Sequence, residues 1–226
     1  MFGYDRMQWF ELITSSVEGE EKKDMRAYLD ELASASPTPG GGSAAAVAGS
    51  MGAALVVMVC QVTLAKDVYQ AVSAELLAVQ DEAEALKDIL LDLAAQDAAA
   101  YNRVVSAYRL PKASDSEKAL RRQAIQSALR HATEVPLETA RACRDVLDLA
   151  CPIADKINPN TLSDLATAAA LAEAGLQGAR LNVIINAGSI EDTVFSEAVV
   201  SQVGSLAVTA GELREAVLGY CAETLV

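Results

Sequence analysis

The chain has 226 residues, 31 acidic against 18 basic side chains, and a net charge of −13. Its length suffices for one well-cored domain, and its charge argues against nucleic acid and anionic membrane surfaces as partners. A single histidine, His131, and four scattered cysteines without a CxxC pair exclude a His-rich metal site, a Ser-His-Asp triad and a disulfide framework.

Residues 1–23 are mixed: Trp9, Phe10, Leu12 and Ile13 suit a short amphipathic helix, and Glu18 to Lys23 a solvated charged segment. No basic-then-apolar leader is present, so a cytoplasmic location is expected. A short helix is expected from Met25 to Ala33, with Leu29 and Leu32 inward. Then comes Ser36-Pro37-Thr38-Pro39-Gly40-Gly41-Gly42-Ser43. The prolines hold the approach extended, the glycines allow close backbone approach, and Ser43 is the expected N-cap of the next helix. A helix start of this kind offers unpaired amides and a positive dipole to a carboxylate, a phosphate or an oxyanion, although spacing alone favours a plain turn into a core helix. No lysine follows the glycines, so this is not a P-loop.

The uncharged run from Ala44 to Ala65 is long enough to span a bilayer. It is dominated by alanine, glycine and valine, and Ala45, Gly49 and Ala53 fall four apart. That stripe suits a close crossing with another helix, and the run reads as a buried central helix, the only stretch of the chain with transmembrane character. A long amphipathic helix is expected over Ser73 to Tyr108, with Leu76, Val79, Ala83, Leu86, Leu90 and Leu93 three or four apart. The same count puts Asp97 on the stripe, followed by Tyr101, Val104 and Tyr108. A carboxylate there needs a partner or a task.

Ser114-Asp115-Ser116-Glu117 has capping chemistry. It opens a helix that Pro136 is expected to kink or break, with His131 on a charged surface stretch. Asn158-Pro159-Asn160-Thr161-Leu162-Ser163-Asp164 is a turn, and the helix after it carries the stripe Asp164, Ala168, Leu171, Gly175, Ala179, Asn182, Asn186. That stripe serves a narrow polar site or a tight crossing. Gly188-Ser189 is expected to end this helix and cap a last one from Ile190, with Val203, Leu206, Ala210, Leu213, Val217 and Cys221 inward. No strand pattern occurs. The expected fold is all-α, a single-domain helical bundle around a buried Gly/Ala-rich helix.

Five stretches in register, SPTPGGGSAAA at residues 36–46, Asp97 to Tyr108 with Leu110-Pro111-Lys112, ATEVPLETA at 132–140, NPNTLSD at 158–164 and GARLNVIIN at 178–186, resemble the cyclodeaminase/cyclohydrolase family of folate one-carbon enzymes. The resemblance covers residues 24–226 and leaves 1–23 as an extension. It implies a homodimer acting on reduced folate, polyglutamylated or not, with no cofactor beyond the tetrahydrofolate substrate and no metal. Two reactions are open: hydrolysis of 5,10-methenyltetrahydrofolate to 10-formyltetrahydrofolate, or closure of 5-formimidoyltetrahydrofolate to the methenyl compound with loss of ammonia. A non-catalytic folate-holding subunit is a third reading. The cyclohydrolase is expected first, because no transferase segment accompanies this sequence to make the formimidoyl substrate. Within that resemblance Asp97 is the acid/base candidate, with Asp164 second and Lys66 a third catalytic candidate. Gly40, Gly41, Gly42 and Ser43 would offer amides, Asn158, Asn160, Asn182 and Asn186 the pterin contacts, and Tyr101, Arg103 and Lys112 further substrate contacts with a basic rim for the glutamate tail.

Overall fold

The computed structural model describes residues 25–225, so the expected helix around Trp9 to Ile13 lies outside the described residues. The chain divides at Ala35 into two units. In the first, α1 (Met25–Leu32) is a short helix with no buried residue. Leu29, expected to face inward, is 52% exposed.

The second unit is a bundle of five long helices, and no strand occurs among the described residues. These are α2 (Gly41–Leu64), α3 (Ser73–Tyr108), α4 (Asp115–Ala150), α5 (Leu162–Ala187) and α6 (Thr193–Leu225). A 3₁₀ turn over Asp67–Val72 joins α2 to α3.

Helix α2 is central, packed by α3 and α5 and in part by α4. Its small side chains make this possible, because they let neighbouring backbones close in. A Cβ on Gly175 of α5 would lie 2.7 Å from the Ala45 carbonyl oxygen, so only glycine fits that crossing. Ala46, Ala53, Val56, Val59 and Cys60 of α2 are fully buried. Leu76 and Leu90 of α3, Leu147 of α4, and Leu165 and Leu176 of α5 close over them, each contributing about 1.5–3 kcal/mol on burial. Helix α2 is long and apolar enough to cross a membrane, and so is Thr193–Thr224 of α6. The sequence reading of one such run is corrected. The two differ in surroundings, since α2 is mostly enclosed by its neighbours while α6 is mostly uncovered.

Both α3 and α5 run antiparallel to α2. Gly42 meets Asp97 and Gly49 meets Leu90, while Gly41 faces Asn182 and Gly52 faces Ala168. Ser50 Oγ adds a cross-helix bond to the Lys87 carbonyl at 2.9 Å. The N-terminal end of α2 therefore lies beside late α3 and late α5.

Three expectations about helix ends change. Helix α2 starts at Gly41 with Gly40 as its N-cap, and no side chain bonds the cap. Ser43 instead lies inside the first turn, where its own amide is turned to another use. Helix α4 is continuous through Pro136. Helix α6 starts at Thr193 rather than Ile190, because Asp192 Oδ1 accepts the Phe195 amide at 3.1 Å. The capping box at Ser114 forms as expected: Ser114 Oγ accepts the Glu117 amide at 3.2 Å, and Glu117 Oε2 accepts the Ser114 amide at 2.8 Å.

Candidate functional site

Asp97 sits on α3 one turn past buried Leu93 and is itself half-buried. Its carboxylate lies directly against Gly42, where a Cβ would come within 2.2 Å of Oδ1 and 2.7 Å of Oδ2. The Ser43 backbone N–H donates to it. Burial pushes the Asp97 pKa above the ordinary carboxylate range, and the Ser43 amide partly offsets that shift. Around the carboxylate is the start of α2, where the extended Gly40 cap has no side chain to bond the first turn and the Asp97 carboxylate takes the Ser43 amide instead. A carboxyl with a raised pKa beside a positive helix end can take a proton and return it, and it can face a cation when ionised.

Asn182 and Asn186 of α5 close the same end. Asn182 Nδ2 lies 3.7 Å from where a Gly41 Cβ would stand, and donates to the Gly178 carbonyl at 2.9 Å. Asn186 Nδ2 donates across to the Ala132 carbonyl of α4 at 2.7 Å. That carbonyl is the one Pro136, lacking an N–H, leaves unpaired in the α-helical i to i−4 pattern. Asn186 thus uses one of its two side-chain donors inside the protein.

The remaining candidates separate. Tyr101, 42% exposed, and exposed Arg103 follow Asp97 on α3, with exposed Lys112 in the next loop, all towards this end. Asp164 does not join them. Ala168 packs at Gly52, ten residues or roughly 15 Å along α2 from Gly42, and Asp164 is another turn away. Lys66, exposed beyond the far end of α2, is farther still, roughly 35 Å along the helix direction. Asn158 is also at that far end. It is 4% exposed, its amide donates to Thr63 Oγ1 at 3.0 Å, and its Oδ1 accepts the Asn160 amide at 3.2 Å. Asn158 holds the turn, while Asn160 is exposed beside it. The α5 stripe is real, but its acid and its two amides occupy opposite ends of the bundle.

His131, expected at the surface, is half-buried and lines an open groove of about 570 Å³ with Gln96, Glu134, Glu138, Arg141 and Phe195. Sequence reasoning missed this groove, since its three walls come from α3, α4 and α6. The cysteines are free thiols. Burial pushes Cys60 up to about 11 and Cys143 up to about 12, so neither is a ready nucleophile at neutral pH. Among the described residues no three His, Cys, Asp or Glu side chains gather to hold a metal ion.

The sequence profile described as formiminotransferase-cyclodeaminase matches residues 24–205. The chain belongs to that family. A methenyltetrahydrofolate cyclohydrolase of Methylorubrum extorquens is 47% identical over 191 residues, 84% of this chain and 92% of that protein. The formimidoyltransferase-cyclodeaminase of Rattus norvegicus is 34% identical over 195 residues, and the match covers 86% of this chain but 36% of that longer protein. In structure, the crystallised formiminotetrahydrofolate cyclodeaminase of Thermotoga maritima superposes with a TM-score of 0.82 at 29% identity, over 91% of this chain and 99% of that one. The all-helical fold is therefore the cyclodeaminase fold, and every residue at the Asp97 end of α2 falls inside the family match. The relatives are named as enzymes of both activities left open by the sequence.

Proposed function

We propose that this chain is a methenyltetrahydrofolate cyclohydrolase in which Asp97 is the acid/base group. Two things support the choice of reaction: the 47% identity to a cyclohydrolase of nearly the same length, and a site built on one carboxylate and backbone amides. The observation that carries the role of Asp97 is its half-buried carboxylate wedged against Gly42 and bonded to the Ser43 amide.

The chemistry is balanced with this group alone. The methenyl bridge makes the substrate cationic, so an ionised Asp97 favours its approach. Water adds to the bridging carbon as Asp97 removes one of its protons, giving a neutral tetrahedral adduct. The carbon to N5 bond then breaks as Asp97 returns the proton to N5, and the adduct hydroxyl loses its own proton to solvent as the formyl C=O forms on N10. One proton is released overall. The positive end of α2 at Gly41 and Gly42 favours oxygen as it gains negative charge in that second step. Tyr101, Arg103 and Lys112, exposed at the same end, would meet the aminobenzoyl-glutamate half, the two cations its carboxylates.

The test is direct: purified protein mixed with 5,10-methenyltetrahydrofolate should discharge the methenyl absorbance at a rate proportional to enzyme. A second reading, formimidoyltetrahydrofolate cyclodeaminase, is favoured by the Thermotoga maritima structure. Faster ammonia release from formimidoyltetrahydrofolate than hydrolysis of the methenyl compound would put it first. We also propose a cytoplasmic homodimer, binding neither nucleic acid nor membrane. Free thiols and the charge of −13 support the location and the absent partners. The uncovered face of α6, with Val194 78% and Val208 64% exposed, supports a second copy.

A further inference from the structure

We infer that Pro136 and Asn186 form one positioning device, which sets the end of α5 against the glycine loop and so fixes the wall of the folate site. Pro136 lies within continuous α4 and lacks the N–H that would bond the Ala132 carbonyl. Ala132 is buried, so water does not readily reach that oxygen. The missing bond is supplied from another helix, by Asn186 Nδ2 at 2.7 Å, which ties the last turn of α5 to the middle of α4. One turn earlier on α5, Asn182 faces Gly41, and Gly42 beside it carries the Asp97 contact. A line of neighbours therefore runs from Pro136 through the Ala132 carbonyl to Asn186, and one turn back along α5 to Asn182 beside Gly41 at the start of α2.

An alanine at 136 would bring its own N–H to the Ala132 carbonyl and compete there with Asn186. The proline is thus what reserves the carbonyl for α5. This makes Asn186 a positioning residue, acting through Asn182, rather than a contact to the pterin.

The inference rests on the proposed folate activity, and a double-mutant cycle tests the two apart. Pro136→Ala, Asn186→Leu and the double variant would be measured for melting temperature and for KM and kcat on methenyltetrahydrofolate, or on the formimidoyl compound if wild type prefers it. Both single variants should raise KM by about fivefold to tenfold with kcat little changed, and the double variant should raise it no further, since one link has been cut twice. Pro136→Ala should also restore the melting temperature that Asn186→Leu loses. If Asn186→Leu fails to fold, Pro136→Ala alone still decides. A wild-type KM in Pro136→Ala overturns the inference, because Asn186 would then serve as a cap or a direct contact. Effects that multiply in the double variant overturn it too. If wild type converts neither folate, the functional reading fails, and the same cycle read as Kd for tetrahydrofolate still scores the link.

Discussion

The Asp97 carboxylate and the Cα of Gly42 are in contact with no room for a methyl group between them: a Cβ at position 42 would sit 2.2 Å from Oδ1. The contact joins an acid on α3 to the first turn of α2, and any side chain at position 42 would displace the carboxylate. Gly42→Ala must push the carboxylate aside or prise α3 from α2. Overpacking of this kind costs about 1–3 kcal/mol. The expected result is a lower melting temperature together with loss of turnover. Gly41 offers a contrast, because its nearest neighbour would be at 3.7 Å, an ordinary contact. Gly41→Val should keep helix content by circular dichroism yet weaken folate binding strongly. Unaltered affinity would make the loop a plain turn.

Stability should report on Asp97 separately from turnover. A carboxyl whose folded-state pKa is raised binds its proton more tightly in the native state. The stability this contributes is complete below the unfolded pKa, about 4, and is lost as pH rises through the folded pKa. At neutral pH the buried, ionised Asp97 is therefore a liability, as functional groups often are. Asp97→Asn should melt higher than wild type at pH 7, and the gap should close towards pH 4. Calorimetry at the two pH values measures it. An Asp97→Asn protein less stable at pH 7 would assign the side chain a structural task.

The small-residue crossings predict opposite outcomes at two glycines. Gly175→Ala places a Cβ 2.7 Å from the Ala45 backbone oxygen, which cannot swing away. It should destabilise by about 1–3 kcal/mol in urea melts. Gly204 on α6 has nothing within 4 Å. In an isolated chain Gly204→Ala should stabilise by up to about 1 kcal/mol through helix propensity. If a second copy covers α6, the substitution should instead shift sedimentation towards monomer, which makes it a probe of the proposed homodimer.

Among the described residues no three His, Cys, Asp or Glu side chains gather around Asp97 or elsewhere to hold a metal ion. Turnover should survive prolonged chelation. Full loss, restored by a divalent cation, would require a different chemistry.

Much of this was legible in the sequence, and the physical reasons differ by element. The three-and-four spacing of Leu76 to Leu93 marked α3 with its observed bounds, and continuing the count put Asp97 on the inner stripe, because periodicity is a local property of one helix. The small residues of α2 announced a close crossing for the same reason. Direction was not legible. The stripe from Asp164 to Asn186 has the same spacing whichever way α5 runs, and the antiparallel packing sends Asp164 away from Asp97 while bringing Asn182 to Gly41. Pro136 suggested a break, but the Ala132 carbonyl it leaves unpaired is answered by Asn186, 54 residues after Ala132, and helix α4 continues. The Ser43 expectation failed on a matter of one turn: glycine can cap without a side chain, which freed the Ser43 amide for Asp97.

If Asp97 carries the proton in methenyltetrahydrofolate hydrolysis, single-turnover kinetics of Asp97→Asn must show its loss. Asparagine keeps the size of the side chain and can still accept the Ser43 amide, but it cannot exchange a proton. General acid/base catalysis is worth about 10²–10⁴-fold. A loss of that order in the rate of methenyl discharge is expected, with folate still bound and the fold at least as stable as wild type at pH 7. A folded Asp97→Asn protein that hydrolyses the methenyl compound at the wild-type rate would contradict it.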